Sequence, residues 1–200
     1  MRVVFLDRDG VINEKRPDHV KSWDEFVFLP GALDALRMLH ANGWLTIVVT
    51  NQAIINRGLV SRHKVDEINH RMARVVERHG GYIEGILCCP HRPDELCNCR
   101  KPRPGLLLQA AEHYGLELDQ CYLVGDALTD IVAGETVGCR CVLLQTGQGA
   151  EQGVHLNGVP DASPKLCRDL RDAVEWMLMD EALGPRVVEG AERPPCMKVS

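Results

Sequence analysis

Asp7 and Asp9 close a short apolar run, Val3-Val4-Phe5-Leu6, and are followed at once by Gly10. Two carboxylates two positions apart at the end of a buried strand can hold a hard cation, and a glycine there lets the backbone turn sharply away. Two other apolar runs end in the same manner. Leu45 to Val49 leads into Thr50 and Asn51, and Tyr122 to Val124 leads into Gly125 and Asp126. In open α/β sheets ligands bind beyond the carboxyl ends of the strands, so one site can collect all three groups. The chemistry they suit is phosphoryl transfer. Magnesium takes oxygen ligands and keeps waters plus a substrate phosphate, so Asp7, Asp9 and Asp126 suffice as its protein ligands. The ion offsets the repulsion between a carboxylate nucleophile, Asp7, and an anionic phosphate. Asp9 can protonate the leaving alkoxide and later deprotonate water. Lys101, in Arg100-Lys101-Pro102-Arg103-Pro104-Gly105 ahead of a helix, is a cation suited to phosphate oxygens. An Asp-x-Asp turn or a basic turn taken alone is commonly a solvated surface feature, and the combination carries the weight.

A second group is of another kind. Cys89, His91, Cys97 and Cys99 offer three thiolates and one imidazole within eleven residues that also contain Pro90, Pro93 and Asn98. That is the donor set of a closed tetrahedral zinc site on a loop, with no position left open for chemistry. The expected role is structural: a zinc loop over 88–100 fixes the segment that presents Arg100 and Lys101. Cys88 competes with Cys89 as a ligand, but it belongs to an apolar run. Cys121, Cys139, Cys141, Cys167 and Cys196 read as packing or tail residues.

These residues must be positioned by strands and helices in alternation. Val3 to Leu6, Leu45 to Val49, Ile83 to Cys88, Tyr122 to Val124 and Cys139 to Leu144 have strand length and composition. Between them lie helical patterns: one opening near Pro30 and stopping at Asn42-Gly43, one capped by Ser61 and ending at Gly80-Gly81, one from Pro104 to Tyr114, and one from beside Asp126 to near Gly138. A fifth helix is expected from Ser163 and Pro164, with Leu166, Leu170, Val174 and Leu178 on its apolar face. Strands joined by helices of this length require a parallel sheet covered on both faces, a doubly wound α/β fold. One domain over 1–180 is expected, and 181–200, rich in Gly, Pro and charge, is expected to be a loosely held tail.

The chain has 200 residues and a formal charge of -5, which argues against general binding to nucleic acid backbones. Val3 to Leu6 is too short for a signal or a membrane span, and no later stretch approaches about 20 apolar residues. Nine cysteines, an odd number with four crowded into one loop, do not read as an extracellular disulfide framework. The expectation is a cytoplasmic protein that binds a small phosphorylated metabolite, with no nucleic acid and no membrane partner.

The pieces together resemble the haloacid dehalogenase-like phosphatases: Asp7-Arg8-Asp9-Gly10-Val11, Thr50 after an apolar strand, Lys101 before a helix, and Gly125-Asp126-Ala127-Leu128-Thr129-Asp130. Asn13, Phe28-Leu29-Pro30-Gly31, Thr50-Asn51-Gln52 and Cys99-Arg100-Lys101-Pro102 are similar to the branch containing heptose bisphosphate and histidinol-phosphate phosphatases, over roughly Arg2 to Gln145. The resemblance implies a Rossmann-like sheet without a cap domain, since 13–30 and 51–61 are too short to fold alone. It makes Asp7 the nucleophile and a metal ligand, Asp9 the acid/base with its carbonyl on the metal, and Asp126 a metal ligand, with Asp130 supporting the metal from behind these ligands. Thr50 and Lys101 would hold the phosphoryl oxygens. Lys15, Arg16, Pro17, Asp18, Asn51, Gln52, Ala53 and Arg100 would line the substrate. Arg57, Arg100 and Arg103 add cations beyond the needs of one phosphate, which favours a heptose 1,7-bisphosphate. The five residues between His91 and Cys97 resemble the histidinol-phosphate branch instead. Ala53-Ile54-Ile55 and Ala127 depart from the heptose pattern, so a non-catalytic, zinc-stabilised module of the same fold stays open as an alternative.

Overall fold

Val3–Leu6 forms β1, buried on both faces, and each apolar run of the sequence becomes a strand alongside it. The computed structural model describes residues 2–152 and 164–183. β2 (Leu45–Asn51), β3 (Gly85–Cys89), β4 (Cys121–Gly125), β5 (Arg140–Leu144) and β6 (Lys165–Cys167) complete a parallel sheet in the order β3-β2-β1-β4-β5-β6. Val3 stands beside Leu45 on one flank and Cys121 on the other, so β1, β2 and β4 run in register toward the same end.

The period of two along β1 divides the core. Val4 and Leu6 join a cluster beneath α1 (Ala32–Ala41), α2 (Arg62–Arg78) and α6 (Leu170–Leu183), together with Val48, Tyr122 and Val124. Val3 and Phe5 face the other way, against α3 (Gly105–Tyr114) and α4 (Leu128–Thr136), with Ile47, Val49 and Leu123. A short helix, α5 (Gly149–Gln152), follows β5. In α2 the residues at helical spacing, Val65, Ile68, Met72 and Val76, are buried together with Asn69, and the Ser61 hydroxyl accepts the Lys64 backbone N–H at 3.2 Å to cap it. Burying each such aliphatic side chain contributes about 1.5–3 kcal/mol. The reversal of winding between β3 and β4 leaves a crevice outside the carboxyl ends of β1, β2 and β4.

Neither loop at this edge holds a domain of its own. The segment after β1 turns back on itself through Glu14 N–H to Val27 O at 2.8 Å and Leu29 N–H to Ile12 O at 3.0 Å; its Trp23 and Phe26 stack, and Phe28 meets both edge-on.

Four expectations need correction. The helix foreseen from Ser163 and Pro164 begins only at Leu170; Lys165–Cys167 pairs with β5 as an edge strand, so Leu166 lies in the sheet. Its apolar residues fit a helical period and a short strand equally, and only the pairing partner decides. Ser163 lies outside the described residues. Position 181 does not begin a tail, because α6 continues to Leu183; residues 184–200, with Cys196, lie outside the described part. Thr50 and Asn51 are inside β2 rather than beyond it, because β3 pairs with both. Cys89, expected on a loop, closes β3 and is fully buried.

Candidate active site

β1, β2 and β4 deliver Asp7, Thr50 and Asp126 to one crevice, and the segment ahead of α3 delivers Lys101. The resulting cavity of about 640 Å³ is lined by both acidic strand ends, by Asp9, Asn51 and Asp130, and by the cations Lys15, Arg16, Arg100 and Lys101.

Lys101 is the electrostatic centre. Its Nζ lies 2.9 Å from Asp7 Oδ1 and 2.6 Å from Asp130 Oδ1, and donates to Val49 O at 2.7 Å. All are buried, so the ammonium is fully enclosed and stays charged: burial alone would lower its pKa, but the two carboxylates reverse that and raise it. Burial pushes the Asp7 carboxyl above its ordinary range, with Asp130 and Asp9 adding to the effect and Lys101 opposing it. Asp9 goes the other way. Burial would raise it, but Arg8 holds it below the ordinary range, helped by hydrogen bonds from Asn13 at 2.8 Å and Gln52 at 2.6 Å. Arg8 itself is buried and is anchored through Nη1 on Asn69 Oδ1 of α2 at 3.0 Å.

Asp126 is fully buried. Its Oδ2 accepts from Lys15 Nζ at 2.8 Å and from the Gln148 backbone N–H at 3.0 Å. Its Oδ1 has no donor among the described residues, an expensive arrangement for a buried carboxylate unless a cation takes that oxygen. Carboxylate oxygens of Asp7, Asp126 and Asp130 lie within 4.8 Å of one another. Orphaned oxygen, crowded acids and all-oxygen donors fit a hard divalent ion. Gly10 at φ 94° and Gly147 at φ 53° make room for the Asp126 carboxylate: a Cβ on either would collide with Asp126 Oδ2.

The cysteine loop is also assembled. Sulfur to sulfur distances among Cys89, Cys97 and Cys99 are 3.1–3.6 Å, and His91 Nδ1 is 3.5 Å from Cys89 Sγ and 3.2 Å from Cys99 Sγ. A tetrahedral zinc with Zn–S bonds of about 2.3 Å needs edges near about 3.8 Å, so the four ligands need only slight expansion. Arg100 Nη1 bonds His91 O at 3.1 Å, which ties the loop to the cavity wall. All eight cysteines of the described residues are free thiols.

The substrate-lining residues divide. Lys15, Arg16, Pro17, Asn51 and Arg100 line the cavity; Asp18, Gln52, Ala53 and Arg57 do not. Asp18 is turned to solvent and paired with Lys21. Gln52 is buried and braces Asp9 and Thr50, the latter at 3.0 Å. Ala53 is packed in the core, and Arg57 Nη1 lies 3.3 Å from His19 Nε2. Arg103, expected to add a phosphate cation, bonds the carbonyls of Leu96 and Cys97 in the cysteine loop. Asp130, expected to support the metal from behind its direct ligands, pairs with Lys101 and accepts the Ala127 N–H at 3.1 Å.

Sequence reasoning missed His19, Thr129, Gly147 and Gln148 in the cavity wall. The loop 145–148 follows the carboxyl end of β5, so the rule that flagged the other strand ends applies to it as well. Asn69 also left a trace, a polar residue on the apolar stripe of α2.

Comparison with known proteins agrees with this geometry. Residues 98–173 match the family model for HAD-hydrolase-like proteins. The D-glycero-β-D-manno-heptose-1,7-bisphosphate 7-phosphatase of Bordetella bronchiseptica is 37% identical over 180 residues, covering 90% of this chain and 99% of the relative. The Pseudomonas aeruginosa enzyme of the same name is 41% identical over 147 residues, covering 74% and 83%. The crystal structure of D,D-heptose 1,7-bisphosphate phosphatase from B. bronchiseptica, complexed with magnesium and phosphate, superposes with a TM-score of 0.83 over 90% of this chain and 99% of that one, at 37% identity.

Proposed function

The chain belongs to the haloacid dehalogenase-like D-glycero-D-manno-heptose-1,7-bisphosphate 7-phosphatases, and we propose that it hydrolyses the 7-phosphate of that bisphosphate through a phosphoryl group carried on Asp7. The observation that carries this reading is the convergence of Asp7, Lys101 and Asp126 in one buried crevice from three separate parts of the chain.

An Asp7 carboxylate oxygen attacks phosphorus in line while the bond from phosphorus to the sugar oxygen breaks. Lys101 and Thr50 hold the equatorial oxygens whose charge spreads in the transition state. The leaving alkoxide takes its proton from Asp9. In the resting site Asp9 is ionised by Arg8, so it must first gain that proton; a phosphate monoester, with a second pKa near about 6, can bring it. Asp9 then accepts a proton from water, which attacks phosphorus and releases phosphate from Asp7. Magnesium held by Asp7 and Asp126 supplies positive charge that lets one anion approach another. Arg8, Asn13 and Gln52 orient Asp9, and Asn51 fixes the Lys101 segment, donating to Lys101 O at 3.1 Å and accepting its backbone N–H at 3.2 Å.

Zinc on Cys89, His91, Cys97 and Cys99 is assigned a structural role, because protein donors fill all four positions. Arg16 and Arg100, on the cavity wall, serve the phosphate that is not transferred. The crowding of the metal-type donors Cys89, His91, Cys97 and Cys99 in one segment, rather than a spaced disulfide framework, favours a reducing compartment, the cytoplasm. No helix among the described residues is long and apolar enough to cross a membrane.

The test is phosphate release with magnesium from heptose 1,7-bisphosphate, compared with histidinol phosphate. Preference for the bisphosphate by at least about tenfold in kcat/KM is expected. Preference for histidinol phosphate would overturn the substrate and leave the Asp7 chemistry standing; no turnover of any phosphate ester would favour a non-catalytic module.

A further inference from the structure

The two oxygens of Asp126 are treated unequally. Oδ2 accepts from Lys15 Nζ and the Gln148 N–H, while Oδ1 is without a donor among the described residues. The Asp126 side chain is 0% exposed and that of Lys15 31%, so the ammonium reaches in from the cavity side while the carboxylate stays fixed. Lys15 comes from the loop after β1 and Gln148 from the loop after β5, so two independent segments grip the same oxygen.

A divalent ion on Oδ1 would share a single carboxylate with an ammonium a few ångströms away. In a buried site such repulsion is poorly screened, and it must be subtracted from the attraction of Asp7 and Asp126 for the ion. With no ion bound, the same ammonium compensates Asp126 and opposes its repulsion from Asp7, keeping the two acids together.

We infer that Lys15 is a built-in counter-charge of the metal site: it holds Asp126 in its binding position and limits the affinity for the divalent cation. This makes it a positioning residue for the metal, and it rests on the magnesium half of the proposed function while being independent of which ester is hydrolysed. Arginine at this position would keep the charge, whereas methionine would keep the stem and remove the charge, with the Gln148 N–H still holding Oδ2.

The experiment is a manganese titration of the full zinc-loaded chain, with free ion counted by electron paramagnetic resonance and magnesium affinity read by competition. Lys15→Met is expected to bind about five- to twentyfold more tightly than the unsubstituted chain, and Lys15→Arg to stay within about twofold of it. Lys15→Gln repeats the neutral arm if the methionine variant does not fold. Unchanged or weaker binding in the neutral variants overturns the inference, as does equal tightening in Lys15→Arg. If Asp126→Asn takes up the ion like the unsubstituted chain, the metal reading beneath it fails instead, and the inference falls with it.

Discussion

The Asp7 carboxylate and the Lys101 ammonium stand 2.9 Å apart inside the sheet's carboxyl edge, and almost no solvent reaches the lysine. A nucleophile that meets a phosphate dianion needs such a cation close by, and a cation so deeply buried needs both Asp7 and Asp130 to remain charged. Each partner is there for the other as well as for the substrate.

Replacing Lys101 by methionine therefore removes a phosphate clamp and leaves two buried carboxylates uncompensated. The expected loss is about 10²–10³ in kcat, the scale of one oxyanion donor, and about 3–5 kcal/mol of stability, the scale of a broken buried pair. Steady-state kinetics and urea unfolding check the two separately, and a variant unaltered in both would contradict the assignment.

Gly147→Ala and Gly10→Ala each put a methyl group against Asp126 Oδ2 at a left-handed backbone position. Magnesium affinity should fall by at least about tenfold in each, because displacing one ligand of a hard-ion site misaligns the others. Calorimetric titration with magnesium reads this directly; unchanged affinity would mean that Asp126 is not a ligand.

Asp7 and Asp126 are both raised above the ordinary aspartate value of 3.8, chiefly by burial. For such groups the metal-free folded chain holds its protons more tightly than the unfolded chain, so their stabilising contribution is present at low pH and lost as pH rises through the raised values. A metal must displace those protons. Affinity should weaken as pH falls toward the raised carboxyl values, with more protons released on binding in acidic than in alkaline buffer. Calorimetry in buffers of different ionisation enthalpy measures the release, and its absence in acidic buffer would contradict the prediction. Asp9, depressed by Arg8 against its burial, contributes stability of the opposite sign, lost only as pH falls through its lowered value.

The two metals should separate by consequence. A thiol-competent zinc chelator, or Cys97→Ser, is expected to lower the melting temperature by about 5 °C or more, since the loop ties β3 to the segment before α3. Removing magnesium alone should stop turnover and lower the melting temperature by clearly less than removing zinc. Scanning calorimetry beside an activity assay distinguishes them; equal melting losses would contradict the division of labour.

Much of this was written in residue order. Asp7, Thr50 and Asp126 are polar residues at the ends of apolar runs, and the strand-end rule brings them together without any coordinates. The cysteine loop was equally plain, because four soft donors so close in sequence have few other uses. Arg57, Arg103, Gln52 and Ala53 do not line the cavity for one physical reason: a residue's charge or place in a motif does not fix its direction, and here the chain turns Arg103 onto two carbonyls and Gln52 inward onto Asp9. Lys165–Cys167 failed as a helix because an edge strand of three residues has no period of its own. His19 reaches the cavity from a left-handed backbone at φ 63°, which no neighbouring residue announces.

The most direct measurement is a rapid acid quench of the magnesium-loaded chain during turnover of heptose 1,7-bisphosphate, followed by peptide mass spectrometry. The account predicts one phosphoryl group on the peptide containing Asp7, formed faster than steady-state release of phosphate and absent, with turnover, in Asp7→Asn. A phosphoryl group on any other residue, or full turnover by Asp7→Asn, would contradict it.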